Sequence, residues 1–596
     1  MVEQPSSSSA VGASAADARS RAIPVVFSTK DNQCAGFYHQ PATGEVGEAV
    51  LICSPWGWDE VASYRPRRRL AEWVASEGHP TLRFDLPGVG DSTGDPRGPG
   101  MLDVWLASIE AGIDWLRGIG ATRVAVVGLG LGGLLAREAA RRGAAIDDLV
   151  VWGAPVNGRA FTREIQAFAR LQTSRGDDAG ILPEGWREVG GYVISAETLA
   201  ELKALPTDVA PSPALQRVLL MERDGIGGDE KLAEGFRDHG VEVTVDPGQG
   251  WSGVVNHPEL SEMPDAALRL IGGWLGRGSV DGTDLARVDG AGQIRLADGV
   301  VESPFTVRGG FGELYGVLAT PPVPRDDGLC AVLLNAGAIQ HTGPNRLWVE
   351  VARRWAAAGV PTLRLDLEGI GEADGADWRE HRTGDFYARK FVDQVVATLG
   401  VLAEQGIGDR FLTAGLCSGG YWAVQAALAD DRVETVVMLN GGAFSWHEQL
   451  IENRAVHRFD RVFSLDWWRR LFLGGIRRPS VGELRAVLRA RVRSLLRSVR
   501  ARISHSGKGS GPIVGDLDLL EAKGVRVVLA FSGGEALVGE LDGEGVWERL
   551  DEWPNVVSRT LPGNDHTLRS LPAQEAAAET LDDEIGRLAF AGPQKP

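Results

Sequence analysis

The chain repeats itself at long range, and this duplication constrains its fold more than any other feature of the sequence. Residues 81–92 read TLRFDLPGVGDS and residues 362–373 read TLRLDLEGIGEA, so seven of twelve positions are identical at an offset of 281. Upstream of each copy, VLICSPWG from Val50 matches VLLNAGAI from Val332 at an offset of 282. Long-period similarity of this kind predicts two duplicated structural units.

Each half alternates β-branched apolar segments with Gly-rich turns and amphipathic helix patterns, which predicts a mostly parallel sheet flanked by helices. A chain of 596 residues with 43% hydrophobic residues is long enough to bury two large cores. A stretch rich in Gly and Asp with no apolar period separates the halves and predicts a linker. The expected organisation is a disordered tail (1–22), a first domain (23–276), the linker (277–302) and a second domain (303–591).

The overall charge and the cysteine content exclude several classes of protein. Lys and Arg number 62 against 80 Asp and Glu, and this net charge of −18 argues against nucleic acid as a partner of the whole surface. The four cysteines show neither CxxC spacing nor the density of a disulfide scaffold, which favours a reducing compartment. Because the N-terminus lacks signal-peptide features and no segment has ~18 uninterrupted apolar residues, we expect a cytoplasmic protein that does not enter membranes.

The segment FLTAGLCSGG, from Phe411, has the pattern of a nucleophile elbow, a sharp strand-to-helix turn that exposes one central side chain. Such a turn crowds the residues two before and two after the nucleophile, which must be small. With Cys417 at the centre these residues are Gly415 and Gly419, whereas a central Ser418 would place Leu416 at a crowded position. The pattern therefore predicts Cys417 as the nucleophile, with an inert cysteine in a Gly-rich turn as the alternative.

The first half has lost this nucleophile. The matching segment VAVVGLGLGG, from Val124, lies at an offset of 287 and places Gly130 where Cys417 stands. GLGLGG also resembles a dinucleotide-binding fingerprint, but it follows several strands instead of the first one, which argues against that interpretation. We predict that the first half is a degenerate copy without covalent chemistry.

With the elbow, the DLxGxG turns and a late histidine, both halves resemble the α/β-hydrolase superfamily from about Ile23 to Ala591. Within it, NAGAIQHTGPNRLWVEVARRWAAAG, from Asn335, is similar to the serine-aminopeptidase-like group of bacterial hydrolases. That group uses serine, so Cys417 departs from its pattern. The resemblance implies two tandem α/β-hydrolase domains.

The resemblance also implies a chain order of nucleophile, acid and histidine. His566 in LPGNDHTLRSL follows a strand-like segment and is the expected base. Glu535 is the first carboxylate after the strand pattern VRVVLAF and is the expected acid, with Glu540 and Asp542 as rivals. The oxyanion would be held by the backbone N–H groups of Ser418 and of a residue near Ala338.

The first half carries Asp224 and His257 at the corresponding places, at offsets of 311 and 309. The increase over the elbow offset predicts a longer lid insertion in the second half. The expected lids span about 153–215 in the first half and about 441–515 in the second. The first-half loop SPWGWDE, with its proline and tryptophans, suggests a filled or non-catalytic site.

The predicted second lid is strongly basic. Residues 453–508 carry fifteen Arg or Lys residues against three acidic ones, with a long amphipathic helix pattern after a capping box at Ser480. Arg489 and Arg493 would pair with the acidic first half, or would bind an acidic partner such as an acyl carrier protein or the phosphates of a coenzyme A thioester. An anionic membrane surface is a third, less favoured partner. Trp446 and Trp467 are expected to line an acyl pocket.

Together these features predict an acyltransferase or thioesterase that acts through an acyl-Cys417 intermediate on a small-molecule acyl substrate. Hydrolysis of an ester, lactone or amide is the alternative activity, and a non-catalytic binding protein is the alternative class. The predicted chemistry uses no cofactor and no metal. The sequence carries no signature of an oligomeric state.

Overall fold

The computed structural model describes residues 22–41, 48–173, 182–208, 210–226, 230–276, 285–288, 290–375, 386–445 and 511–591. Within these ranges the chain forms two large sheets, one from each half of the sequence, and one separate hairpin. Residues 1–21 of the predicted tail, residues 277–284 and 289 of the predicted linker, and most of the predicted second lid lie outside the described residues.

The first half supplies an eight-stranded sheet and the hairpin. Its strands are β1 (Ala22–Ser28), β2 (Gln33–His39), β3 (Ala49–Cys53), β4 (Thr81–Phe84), β5 (Val124–Leu129), β6 (Asp148–Trp152), β9 (Arg217–Met221) and β10 (Glu242–Asp246), and the hairpin is β7 (Arg187–Val189) with β8 (Tyr192–Ile194). The spatial order of the sheet is β1-β2-β4-β3-β5-β6-β9-β10. Strand β2 pairs antiparallel with β1 and β4, and the other neighbours pair parallel.

Nine helices belong to the described part of this half. They are α1 (Trp58–Ala62), α2 (Tyr64–Ser76), α3 (Met101–Gly118), α4 (Leu131–Arg141), α5 (Gly158–Thr173), α6 (Ala196–Ala204), α7 (Glu230–Asp238), α8 (Trp251–Val254) and α9 (Asp265–Leu275). Helices α5 and α6 and the hairpin lie within the region predicted as the first lid.

The second half repeats this topology. Its strands are β11 (Ile294–Arg295), β12 (Val301–Gly309), β13 (Gly312–Thr320), β14 (Leu329–Leu334), β15 (Thr362–Asp366), β16 (Arg410–Leu416), β17 (Val433–Leu439), β18 (Arg526–Phe531) and β19 (Val556–Thr560). Their order is β11-β12-β13-β15-β14-β16-β17-β18-β19. Apart from the short β11, which falls inside the predicted linker, the order and the strand directions reproduce those of the first sheet.

The described helices of the second half are α10 (Leu347–Ala357), α11 (Arg389–Glu404), α12 (Ser418–Ala429), α13 (Pro512–Ala522), α14 (Ala536–Gly543) and α15 (Leu571–Ala591). Short 3-10 helices lie at Pro344–Arg346 and Trp547–Glu552. The predicted fold class, α/β with two mostly parallel sheets in tandem, is confirmed.

Both sheets are buried on two faces, as parallel sheets require. In β3, Leu51 and Cys53 pack into one apolar cluster, whereas Val50 and Ile52 pack into a second cluster on the opposite face. This alternation follows from the two-residue period of a strand. It explains why the central strands read as continuous apolar runs.

The two halves meet through a buried ionic network. Asp91 of the first half accepts hydrogen bonds from His341 Nε2 at 2.7 Å and from Arg364 Nη1 at 2.5 Å. His341 Nδ1 lies 2.7 Å from Asp366 Oδ2, and Arg364 Nη2 donates to Glu302 Oε1 at 2.7 Å. All five side chains are buried, so the network joins the halves where water does not screen charge.

Candidate active site

Cys417 occupies a strained turn between β16 and α12. Its backbone φ of 57° and ψ of −115° lie in a region where residues other than glycine are rarely found. A Cβ atom added to Gly415 would lie 2.2 Å from a backbone atom of Gly419, and one added to Gly419 would lie 2.4 Å from the Asn335 carbonyl oxygen. The structure therefore has the steric register that the sequence predicted for a nucleophile elbow centred on Cys417.

Ser418, the alternative central residue, is buried in the first turn of α12. Its hydroxyl oxygen accepts a hydrogen bond from the N–H of Gly337 at 2.9 Å. Ser418 thus fastens the loop after β14 to the elbow, and its side chain is engaged in that contact.

The structure brings His566 and Glu535 to Cys417. His566 hydrogen-bonds with Cys417, and its Nδ1 atom lies 2.8 Å from Glu535 Oε2. Burial alone would lower the pKa of His566, but the negative charges of Cys417 and Glu535 raise it to about 10. The rival acids Glu540 and Asp542 are exposed on α14. Of the three candidate acids, the structure therefore pairs Glu535 with the histidine.

Asn440, which the sequence analysis did not identify, positions the histidine loop. It is fully buried after β17 with a φ of 42°, and its Nδ2 atom donates to the carbonyl oxygen of His566 at 3.0 Å. Its Oδ1 atom accepts the N–H of Ser532 at 2.7 Å. A polar residue directly after a buried strand is the one signal in the sequence for this role.

The loop after β14 offers backbone donors beside the elbow. The N–H of Gly337 donates to Ser418, and the N–H of Ile339 donates to the carbonyl oxygen of Ala336. Ala338 lies between them, and its N–H donates to none of the described residues. The N–H of Ser418, at the start of α12, has no partner within the helix. These two N–H groups are the ones that the sequence analysis names as oxyanion donors, and that role stays a prediction.

In both halves, the last glycine of the DLxGxG motif lies so close to the motif aspartate that no side chain fits there. A Cβ atom at Gly371 would lie 2.0 Å from Asp366 Oδ2, and one at Gly90 would lie 2.0 Å from Asp85 Oδ2. In the second half, Asp366 also accepts hydrogen bonds from the side chain of Asn335 and from the backbone of His341. The motif aspartate thus holds both ends of the loop that carries Ala338.

The first half retains the elbow geometry without a nucleophile. Gly130 has a φ of 54° and a ψ of −121°, close to the values at Cys417. The counterpart of Gly337 is Pro55, which has no N–H, and the counterpart of Ser418 is Leu131, which has no hydroxyl. The first half therefore lacks the hydrogen bond between the loop and the elbow. Because its donor and its acceptor are both missing, neither is left without a partner.

The first-half acid has a structural function. Asp224 accepts hydrogen bonds from the backbone N–H groups of Gly250 at 2.5 Å and of Ser252 at 2.9 Å. The ring of His257 packs against Trp58, with 6.2 Å between ring centroids. The loop with one proline and two tryptophans predicted a filled or non-catalytic site, and a pocket of about 120 Å³ remains over Gly130.

Several predicted residues cannot be placed. Trp446, Trp467, Arg489 and Arg493 lie outside the described residues, as does most of the predicted second lid. Among the residues that the structure describes, there is no group of three His, Cys, Asp or Glu side chains that could hold a metal ion. None of the described helices is long and apolar enough to cross a membrane.

No family model and no curated protein matches this chain. Among solved structures it is similar to proline iminopeptidase from Mycobacterium smegmatis, with 17% identity, a TM-score of 0.30, and coverage of 48% of this chain and 100% of that one. The Pyrococcus furiosus esterase Pf2001 is 18% identical, with a TM-score of 0.32 and coverage of 47% and 99%. Est1E from Butyrivibrio proteoclasticus, bound to ferulic acid, is 16% identical, with a TM-score of 0.29 and coverage of 42% and 96%.

Proposed function

We propose that the second half is an acyl-transfer enzyme that works through a thioester between Cys417 and the acyl group of its substrate. The observation that carries this proposal is the contact of His566 with both Cys417 and Glu535 at a strained elbow. A nucleophile, a base and an orienting acid in hydrogen-bond sequence are the arrangement needed for covalent acyl chemistry. The same contact argues against a purely binding role for the second half.

In the first step, the Cys417 sulfur attacks the acyl carbon while its proton resides on His566. The N–H groups of Ser418 and Ala338 donate to the oxygen that becomes negative, and removal of one such donor typically costs ~2.7–4 kcal/mol of transition-state stabilisation. The carbon–leaving-group bond then breaks, and His566 gives its proton to the leaving group. In the second step, an acceptor loses its proton to His566 and takes the acyl group, which releases the Cys417 sulfur as a thiolate and restores the starting pair.

The raised pKa of His566 supports a thiolate–imidazolium pair as the resting state. Both Cys417 and Glu535 favour the charged imidazolium, and they outweigh its burial. A cysteine in this state is nucleophilic at neutral pH without a separate deprotonation step. Serine at the same position would need general-base assistance in the step of attack.

We further propose thioesters as the acyl donors. Exchange of a substrate thioester for the Cys417 thioester leaves the bond type unchanged, so the step is nearly balanced and the acyl group stays activated for an amine, alcohol or thiol acceptor. We also propose that Arg489 and Arg493 recognise the phosphates of coenzyme A or the acidic surface of a carrier protein. Both arginines lie outside the described residues, so this part of the proposal rests on the sequence.

The pH profile of cysteine alkylation tests the proposal. In the wild-type chain, the rate at which iodoacetamide modifies Cys417 should be nearly constant between about pH 6 and 9, because His566 holds the sulfur as thiolate. In His566→Gln the rate should rise about tenfold per pH unit until it levels near the ordinary thiol pKa of ~8.5.

Three other thiols provide an internal control. Cys34, Cys53 and Cys330 are buried, and burial raises their pKa values, that of Cys330 to about 12. They should stay unmodified in the folded protein. Identical pH profiles for wild type and His566→Gln would refute the proposed pair.

A further inference from the structure

A first-half residue contacts the second-half loop that carries Ala338. Asp91 directly follows the DLxGxG motif of the first half, and its carboxylate lies 2.7 Å from Nε2 of His341. His341 belongs to the loop after β14, and its Nδ1 atom lies 2.7 Å from Asp366 Oδ2. Burial would lower the pKa of His341, but the charges of Asp366 and Asp91 raise it to about 10. At neutral pH the ring therefore donates to both carboxylates.

Asp366 passes this contact on to the loop. Its Oδ1 atom accepts hydrogen bonds from the side chain of Asn335 at 2.9 Å and from the backbone N–H of His341 at 2.7 Å. Asn335 and His341 lie on either side of Ala338 in the sequence, and Asp366 is fully buried. Hydrogen bonds to a buried carboxylate are short and strong. A continuous chain of them runs from Asp91 to both sides of Ala338.

The first half also contacts the loop directly beside Ala338. A Cβ atom added to Gly337 would lie 2.7 Å from Oε1 of Glu259, so this first-half carboxylate packs against the loop backbone. Gly337 has a φ of 54°, and its N–H donates to the hydroxyl of Ser418. The first half therefore touches the loop at two places, one before and one after Ala338.

The ion pairs across the interface are reciprocal, but the histidine is not. Arg364 of the second half donates to Asp91 at 2.5 Å, and Arg83 of the first half donates to Glu372 at 2.5 Å. Both the two arginines and the two acids stand at equivalent positions of the repeat. The first half has an aspartate at the position equivalent to His341. The link through the histidine thus belongs only to the half that carries the nucleophile.

From these contacts we infer that Asp91 is a positioning residue for the reaction at Cys417, because it fixes, through His341, the loop that presents the Ala338 N–H to the reacting carbonyl oxygen. The first half, which has no nucleophile of its own, completes the oxyanion site of the second half. This inference rests on the proposed function, since such a donor acts only when an acyl oxygen becomes negative.

Asp91→Asn tests the inference through two reactions of the same thiol. Acylation of Cys417 by butanoyl N-acetylcysteamine thioester places negative charge on an oxygen, whereas its alkylation by iodoacetamide does not. At a temperature where both chains are folded, the variant should acylate roughly 10²-fold more slowly than wild type, the typical effect of misplacing a group by an ångström. Its alkylation rate should stay within about twofold of wild type, because His566 still holds the thiolate. A merely structural defect would change both rates together.

Glu372→Gln is the matched control. It breaks the reciprocal ion pair, which is also buried, and the Glu372 side chain accepts hydrogen bonds from Arg83 and Tyr64 of the first half. The control should keep both rates within about twofold of wild type, because its partners lie away from the loop. Unchanged acylation in Asp91→Asn, or equal slowing in the two variants, would overturn the inference.

His341→Gln carries the test if Asp91→Asn does not fold, because it leaves the pair of Asp91 with Arg364 in place. It should slow acylation as Asp91→Asn does, and the double variant should be no slower than His341→Gln alone, since both changes break one path. Additive losses would refute the path through His341. A wild-type chain that forms no acyl-Cys417 would refute the proposed function and this inference with it, whereas wild-type acylation that Asp91→Asn and His341→Gln leave unchanged would refute the inference alone.

Discussion

Replacement of Asp91 by asparagine should weaken the contact between the two halves. Asp91 receives hydrogen bonds from His341 and Arg364 across the interface, and these two partners are 1% and 0% exposed. Burial would raise the pKa of the Asp91 carboxyl, but the charges of His341 and Arg364 hold it well below its usual range. The asparagine keeps the shape of the side chain but removes its charge and one acceptor oxygen.

The structure sets the magnitude of this effect. Breaking a buried ion pair by removing one partner costs about 3–5 kcal/mol. Arg364 retains Glu302 and His341 retains Asp366, so the cost should lie near the lower limit of about 3 kcal/mol. For units of ~250 residues, each kcal/mol shifts Tm by about 2–4 °C, which predicts a decrease of about 6–12 °C.

Differential scanning calorimetry at pH 7 measures this shift, and Asp103→Asn serves as the control. Asp103 pairs with Arg142 at 2.7 Å, but its side chain is 76% exposed. An exposed pair is worth about 0–1 kcal/mol, so the control should lower Tm by no more than about 4 °C. Equal shifts for the two variants would refute the claim that the buried network joins the halves.

The same network should make stability depend on pH. The charges of Asp366 and Asp91 raise the pKa of His341 to about 10 despite its burial, above the ordinary value of 6.5. A pKa raised in the folded state adds stability that is complete below pH 6.5 and is lost as the pH rises from 6.5 to about 10. Tm of the wild-type chain should therefore fall across this range, and more steeply than Tm of Asp91→Asn.

Two further predictions concern the site. Glu535→Gln removes the charge that orients the His566 imidazole and should lower kcat on an acyl thioester by roughly 10²–10⁴-fold. The control Glu540→Gln should keep kcat within about twofold of wild type. Similar losses of kcat in both variants would show that Glu535 is not the acid. Gly415→Ala should prevent correct folding of the elbow, because its Cβ would lie 2.2 Å from a backbone atom of Gly419. In the control Gly400→Ala, in α11, the Cβ meets nothing within 4 Å, so the free energy of unfolding should rise by about 0.5–1 kcal/mol. Soluble yield and circular dichroism melting compare this pair, and a stable Gly415→Ala protein would contradict the steric reasoning.

Much of the fold was predictable because the repeat and the strand patterns can be recognised in the sequence itself. The repeated DLxGxG turn marks equivalent positions in the two sheets, and in each copy a glycine is required beside the aspartate carboxylate. The register of the elbow was predictable for the same reason: close backbone approach at Gly415 and Gly419 permits no side chain, and sequence records this directly.

Contacts between distant segments left no such signal. Asp91 and His341 are 250 residues apart, and nothing in the pattern around either one specifies the other. Asn440 acts through the backbone of His566, which any residue would provide. The first-half pocket depends on how α5 packs over Gly130, and the apolar period of a helix fixes its buried face but not the volume left beneath it.

The central claim is that an acyl group is carried on Cys417. Intact-protein mass spectrometry after incubation with a panel of acyl N-acetylcysteamine thioesters, followed by peptide mapping, measures this directly. We predict a single acyl adduct, located on the peptide that contains Cys417, which disappears when hydroxylamine is added and is absent from Cys417→Ala. Turnover of a thioester by the Cys417→Ala chain, or an adduct on another residue of the wild-type chain with Cys417 unmodified, would contradict the account.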